Sequence, residues 1–236
     1  MTQTSILAAA AALALSTASV FAGTIYSTTG TGTEILGLGT TIVNGHQGRE
    51  FGDQITLPST GYQLSSLSFD YYSASLGGTM NLNIYANDGG LIGGLQAPGT
   101  LLLSVPGIGI SQGYNTANFD YKPYITQYGA FDLPTNFTVT VSFSGATTGS
   151  DKGWLIGGAE STVGRPHENV GSSGASFWQK TDSGNNDWAL RGLNTTSQDG
   201  NFKMSIVATI PEPTTVALGV VGAAFVGAAA LRRNRR

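Results

Sequence analysis

The sequence contains no cysteine, and only two of its 236 residues are histidine. The first absence removes disulfides, thiol nucleophiles and thiolate metal sites together. The second leaves His46 and His167 as the only imidazoles. Any Ser–His pair would have to use one of them, and no G-x-S-x-G elbow is present. "HEN" at 167–169 lacks the second histidine of the H-E-x-x-H zinc motif. No Walker A loop is present, and the glycine-rich "GLGTTIVNG" and "GGLIGGL" lack its lysine, so they read as turns. Charge is also scarce, 11% of residues against about 25% in an average soluble domain. Four of the 11 basic residues are Arg232, Arg233, Arg235 and Arg236, which leaves seven to face 14 acidic ones elsewhere. An acidic, evenly spread surface argues against nucleic acid, whose binding needs clustered Lys and Arg.

What the chain has instead is 34 glycines and an abundance of Ser, Thr and Asn. That composition favours short strands joined by turns. Period-two alternation marks half-buried strands. "LSFDYY" puts Leu67, Phe69 and Tyr71 on one face, and "MNLNIY" sets Met80, Leu82 and Ile84 against Asn81 and Asn83. "FTVTVSF" is the cleanest case, with Phe137, Val139, Val141 and Phe143 inward and Thr138, Thr140 and Ser142 outward. "FKMSIVA" repeats the pattern with Phe202, Met204, Ile206 and Ala208. "EFGDQITL", "TLLLSV" and short pieces around Trp154, Phe177 and Trp188 are further candidates. "LPSTG", "ANDGG", "APGT", "SGATTGSDKG" and "DSGNND" supply turns between them. The expected fold is all-β: a single antiparallel β-sandwich of jelly-roll kind over residues 23–210. Residues 23 to about 48 read as a loose arm or an edge strand.

The two ends read differently from this body. Residues 1–22 resemble a secretory signal peptide. Ile6 to Leu15 is an apolar core of ten residues, too short to span a bilayer of roughly 30 Å, and Val20 and Ala22 occupy the small-residue positions before a cut. The n-region departs from the pattern in having no Lys or Arg. At the other end, Thr214 to Leu231 is 18 residues without a charge, or about 27 Å of helix at 1.5 Å per residue. Ala, Val and Gly dominate it, so it would be held weakly. Pro213 suits the first turn of such a helix. The arginines at 232–236 follow directly, and the positive-inside rule keeps such a cluster in the cytoplasm. The alternative, an Ala/Gly/Val helix buried in a larger fold, is opposed by the terminal position, the lack of a polar face and the unpartnered basic block.

Pro211-Glu212-Pro213, the apolar run and the basic cluster together resemble the PEP-CTERM sorting signal of Gram-negative bacteria, over residues 211–236. A bare Pro-Glu-Pro would be weak; the tripartite order with a signal peptide at the opposite end is specific. The resemblance implies recognition by an exosortase in the inner membrane, removal of the tail near the Pro-Glu-Pro, and delivery of the body toward the cell surface. Such proteins accompany bacteria that make extracellular polysaccharide, which makes polysaccharide the implied partner. More loosely, "GDQITL", "LSSLSFDYY", "YANDG" and "PGTLL" resemble β-rich ectodomains attached to this signal. That second likeness implies no activity.

Few residues in the body point to chemistry. Trp154, Trp178 and Trp188 lie among Gly, Asn and Asp, the setting in which aromatic faces hold sugars; as bulky apolar groups they equally suit a sandwich core. Asp182, Asn185 and Asp187, and secondarily Asn87 and Asp88, offer hard oxygen ligands for a structural Ca²⁺, although not at EF-hand spacing. No other cofactor and no catalytic residue is expected. The leading reading is a non-enzymatic surface or matrix protein. Its rivals are an exported glycan-active enzyme using two carboxylates, and a permanent single-span protein whose ectodomain senses or scaffolds. The orientation is testable directly: a reporter active only in the cytoplasm should be active when fused after Arg236 and silent when it replaces the tail after Pro211. The opposite pattern would reverse the topology.

Overall fold

A computed structural model of the chain describes residues 21–28, 50–144, 152–154, 172–173, 176–180, 187–192 and 202–210. The signal-peptide core, His46, His167, Asp182, Asn185, the Pro-Glu-Pro, the 214–231 run and the arginines lie outside them. Among the described residues no helix is long and apolar enough to cross a membrane. The chain divides into two compact units: Gly23–Ala208, and Met1–Ala22 with Thr209–Arg236. Nearly all described residues belong to the first.

That unit is all-β, with antiparallel pairing. Its strands are β1 (Phe21–Ser27), β2 (Glu50–Thr56), β3 (Gln63–Ser73), β4 (Thr79–Ala86), β5 (Leu91–Ile92), β6 (Leu95–Gln96), β7 (Leu101–Gly109), β8 (Gly113–Asp120), β9 (Asn136–Ser144), β10 (Lys152–Trp154), β11 (Ser172–Ser173), β12 (Ser176–Lys180), β13 (Trp188–Gly192) and β14 (Met204–Ile210). One sheet runs β1-β14-β3-β10, with β8 also on β3. The other runs β13-β12-β2-β9-β4-β7, with β11 also on β2. β5 and β6 form a separate hairpin across Gly93-Gly94, whose positive φ values of 61° and 86° are those a tight two-residue turn demands. One short helix, α1 (Lys122–Tyr128), joins β8 to β9; it begins with a proline in its first turn and buries none of its residues.

The alternating apolar sets identified above do become one face of each sheet. Val141 of β9 stands between Phe51 of β2 and Leu82 of β4, and all three are fully buried. Residues of both sheets form a single apolar cluster. At its centre Trp154 lies nearly parallel to Phe202, ring centroids 4.5 Å apart, while Phe51 packs on Phe143 and Phe202. A polar tie crosses the same interior: the Phe202 backbone N–H donates to Asp53 Oδ2 of β2 over 3.2 Å. Pro106 interrupts β7, which ends its sheet, the position where a missing N–H costs least.

The described start of the N-terminal stretch is an edge strand, β1 at the end of its sheet, one of the two forms expected for it. Two points differ from the sequence reading. β8 carries only Ala117 and Phe119 inward, too little apolar content to stand out from sequence, yet it pairs with β3 over eight residues. Most importantly, Thr138 and Thr140 are fully buried and Asn83 nearly so. They do point away from the apolar core, as alternation requires, but a second layer covers that face too. Both faces of β9 are therefore interior. Val141→Asp and Thr140→Asp should each destabilise the fold, by roughly 3 kcal/mol or more in urea titrations, because each buries an unpaired charge. Asn118→Asp on the exposed side of β8 should stay within about 0.5 kcal/mol. A mild effect at Thr140 would mean that its face is open to water.

Candidate functional site

The covered face of the seven-stranded sheet carries a group of buried polar side chains. Strand alternation places Glu50, Gly52 and Gln54 of β2 on it, beside Thr138 and Thr140 of β9 and Asn83 and Tyr85 of β4. Register then aligns Gly52, Thr140 and Asn83 in one row across three strands. β12 continues the row with Trp178 opposite Gly52, and β13 adds Leu190 opposite Trp178. A Cβ at position 52 would collide with the Val139 carbonyl and Thr140 Cα, so only glycine permits this approach of β2 to β9.

Glu50 is the hub. It is 7% exposed, and its Oε1 accepts hydrogen bonds from Asn83 Nδ2 at 2.7 Å and from the Thr140 hydroxyl. The Tyr85 hydroxyl donates to Oε2 at 3.2 Å, and the Lys180 ammonium stands 3.7 Å from the same oxygen. Lys180 also sits over the Trp188 ring, 5.5 Å from its centroid. Trp188 in turn meets Tyr85 edge to face at 5.4 Å. A buried carboxylate is stable only when its charge is opposed and its lone pairs are filled; here four donors or cations do both. Burial first, and the adjacent Glu50 charge second, hold the Tyr85 phenol well above its ordinary value, so Tyr85 remains a neutral donor.

The layer above is apolar. Trp178, Trp188, Tyr85 and Ala97 form a second buried cluster, joined by Ile92 and Leu190. The segment between β4 and β7, with the β5–β6 hairpin, supplies Ile92 and Ala97. Asp88 clasps this segment shut: its Oδ1 accepts from the Thr100 backbone N–H at 2.7 Å and its Oδ2 from the Thr100 hydroxyl at 2.6 Å. Those bonds hold the Asp88 carboxyl below its usual range. Asn87 lies inside the clasp and accepts from the Thr138 hydroxyl at 2.6 Å.

Against this geometry the sequence candidates fall as follows. Trp154 is buried in the main apolar cluster, its indole N–H donating to the Lys203 carbonyl at 3.2 Å. Trp178 is buried in the second cluster, its N–H on Gln54 Oε1 at 3.2 Å. Trp188 is 8% exposed in the same cluster. None of the three turns a free ring face to solvent. Among the described residues, the most exposed aromatic rings are those of Tyr114, Tyr124 and Tyr128. Of the calcium candidates, Asp182 and Asn185 lie outside the described residues and Asp187 is described; Asn87 and Asp88 are engaged by Thr138 and Thr100. Among the described residues no three His, Cys, Asp or Glu gather as a metal would need. Glu50 was not foreseeable as a hub. It reads as an ordinary outward charge, and only the covering layer makes it interior.

No family model matches the chain, and no curated protein matches it. Among solved structures it is similar to a chain of the T13 IBDV viral particle, at 12% identity and a TM-score of 0.19, covering 72% of this chain and 34% of that one. The chain thus spans about a third of that protein's length, and a likeness at this level carries no argument about fold or role.

The Tyr85 environment gives a pH signature. A phenol whose folded value is raised adds stability that is fully present below the unfolded value of about 10 and is lost as pH climbs above it. Urea titrations at neutral and strongly alkaline pH should show the wild type losing stability faster than Tyr85→Phe above about pH 10. At neutral pH the variant should be weaker by about 1 kcal/mol, because Glu50 loses a donor. Parallel curves would place Tyr85 in solvent rather than against Glu50.

Proposed function

We propose that the chain is an exported cell-surface or extracellular-matrix protein, sorted by a C-terminal exosortase signal, whose body is a non-catalytic binding or structural β-sandwich of jelly-roll kind. The observation that carries this reading is the tripartite tail, Pro211-Glu212-Pro213 followed by the uncharged run to Leu231 and the arginines at 232, 233, 235 and 236. The body is consistent with such a role. Its two main sheets share a core, and its central buried carboxylate has its oxygens occupied by structural partners. The tail would act as a temporary handle in the inner membrane, and the exosortase would release the body.

The mechanism follows from the backbone. Two prolines fix φ near −65° on either side of Glu212 and keep that strip extended, the form a protease-like cleft accepts. Glu212 places one negative charge just outside the membrane. An anchor needs only apolar length and flanking charge, whereas a signal read by an enzyme needs the tripeptide. In a host carrying an exosortase, replacing Pro211-Glu212-Pro213 by three alanines should leave export and insertion intact, while the protein accumulates uncut in the inner membrane. Its C-terminal mass and fractionation would report this. Processing at the wild-type rate would show that the tripeptide is not what the enzyme reads and would overturn the sorting reading; an uncut tail in the wild type as well would indicate a permanent single-span anchor.

A further inference from the structure

The two large sheets treat their outward faces oppositely. The seven-stranded sheet buries its outer face under the second cluster. On the five-stranded sheet, the outward residues of β8 are exposed and those of β3 half-exposed. On that face Tyr72 of β3 stands directly opposite Tyr114 of β8, and the two rings lie 4.7 Å apart at 42°. The other neighbour of Tyr72 is Gly153 of β10, which is itself buried, and Tyr72 is half-buried. Tyr114 is 48% exposed. The pair thus offers aromatic surface at the solvent-facing side of the sheet.

One row along the strands, about 7 Å away, polar groups are already fixed in place. Asp70 lies opposite Thr116, whose hydroxyl donates to Asp70 Oδ1 at 2.6 Å. The Lys203 ammonium holds Asp70 Oδ2, also at 2.6 Å. This row presents acceptors, a hydroxyl and spare ammonium protons, and its two charges cancel. The next row pairs Ser68 with Asn118, so small hydroxyl and amide groups continue along the same line. Rings beside a fixed, locally neutral row of donors and acceptors match a sugar chain: the apolar C–H face of a pyranose stacks on the tyrosines, and its equatorial hydroxyls meet the Asp70 row. The linear arrangement suits a polymer laid along the strands better than a single sugar, and the cancelled charge suits a neutral chain better than a strongly anionic one.

We propose that the exposed face of the five-stranded sheet is a polysaccharide-binding site, with Tyr72 and Tyr114 as the stacking platform and Asp70, Thr116 and Lys203 as its hydroxyl-binding row. The proposal rests on the binding-module reading given above and names the ligand class for it. The exposed Tyr124 and Tyr128 of α1 stack on each other, centroids 6.4 Å apart, without an Asp–Thr–Lys row beside them. They serve as the control surface.

The test titrates the full-length protein, solubilised in detergent, with cellohexaose and laminarihexaose by calorimetry, and with a galacturonic acid hexamer as the anionic probe. At least one neutral hexasaccharide should bind with a Kd of roughly 1 mM or tighter, and more tightly than the anionic one. Tyr72→Ala with Tyr114→Ala should weaken binding at least about tenfold. Tyr72→Phe with Tyr114→Phe, which keeps the rings, should stay within about threefold, and Tyr124→Ala with Tyr128→Ala should change nothing. Thr116→Val preserves shape on an exposed strand and guards against misfolding of the alanine pair; it should weaken binding several-fold. The proposal is overturned if neither neutral sugar binds at that concentration, if the control pair weakens binding as much as the platform pair, or if the platform variants leave affinity unchanged. It is also overturned if the platform pair alters only self-association. Tail processing is read separately by C-terminal mass, so failure here leaves the sorting reading intact, and failure of sorting leaves the titration result intact.

Discussion

A carboxylate inside a sheet protein has to be answered by its neighbours, and Glu50 sets that requirement for this fold. It opens β2, a central strand of the larger sheet. Asn83, Tyr85, Thr140 and Lys180 reach it from three other strands, β4, β9 and β12. Satisfying it fixes the lateral order of those strands as firmly as backbone pairing does, because a shift of one residue would turn every partner to the opposite face. Removing one hydrogen-bond donor would leave the carboxylate less well satisfied, at a cost of about 1–3 kcal/mol. The covering layer of Trp178, Trp188, Ile92 and Ala97 keeps water from answering the charge instead.

This constraint explains features that otherwise look unrelated. Gly52 must lack a side chain for β2 to meet β9 closely. Lys180 lies over Trp188, so the cation that opposes Glu50 is itself held. The Asp88–Thr100 clasp closes the segment that carries the covering hairpin. On the five-stranded sheet, by contrast, the outward Tyr114, Thr116 and Asn118 of β8 are exposed and Ser68, Asp70 and Tyr72 of β3 are half-exposed.

Much of this was legible in the sequence, and for identifiable reasons. The inward sets of β3, β4, β9 and β14 alternate without interruption, so Phe69, Leu82, Val141 and Ile206 could be placed in the core before any coordinates. β8 was not visible, because Tyr114, Thr116 and Asn118 alternate with only two apolar partners. The burial of Thr138 and Thr140 was invisible for a different reason: alternation tells which residues share a face but not whether a further layer covers it. That layer comes from the 87–100 segment, whose glycines read as turns, and from tryptophans whose burial and exposure look alike in sequence. The tyrosine platform depends on register between strands more than 40 residues apart, which no local pattern encodes. The proposed terminal signals, by contrast, would be linear motifs, read from sequence alone.

The central claim is that Glu50 and its partners act as one unit. A double-mutant cycle on Glu50→Ala and Thr140→Val, followed by urea unfolding, tests it most directly. The account predicts that the two changes together cost less than the sum of their separate effects, by about 1–3 kcal/mol, because removing the carboxylate leaves the hydroxyl nothing to serve. Additivity within about 0.5 kcal/mol would contradict it, showing Glu50 and Thr140 to be independent of each other.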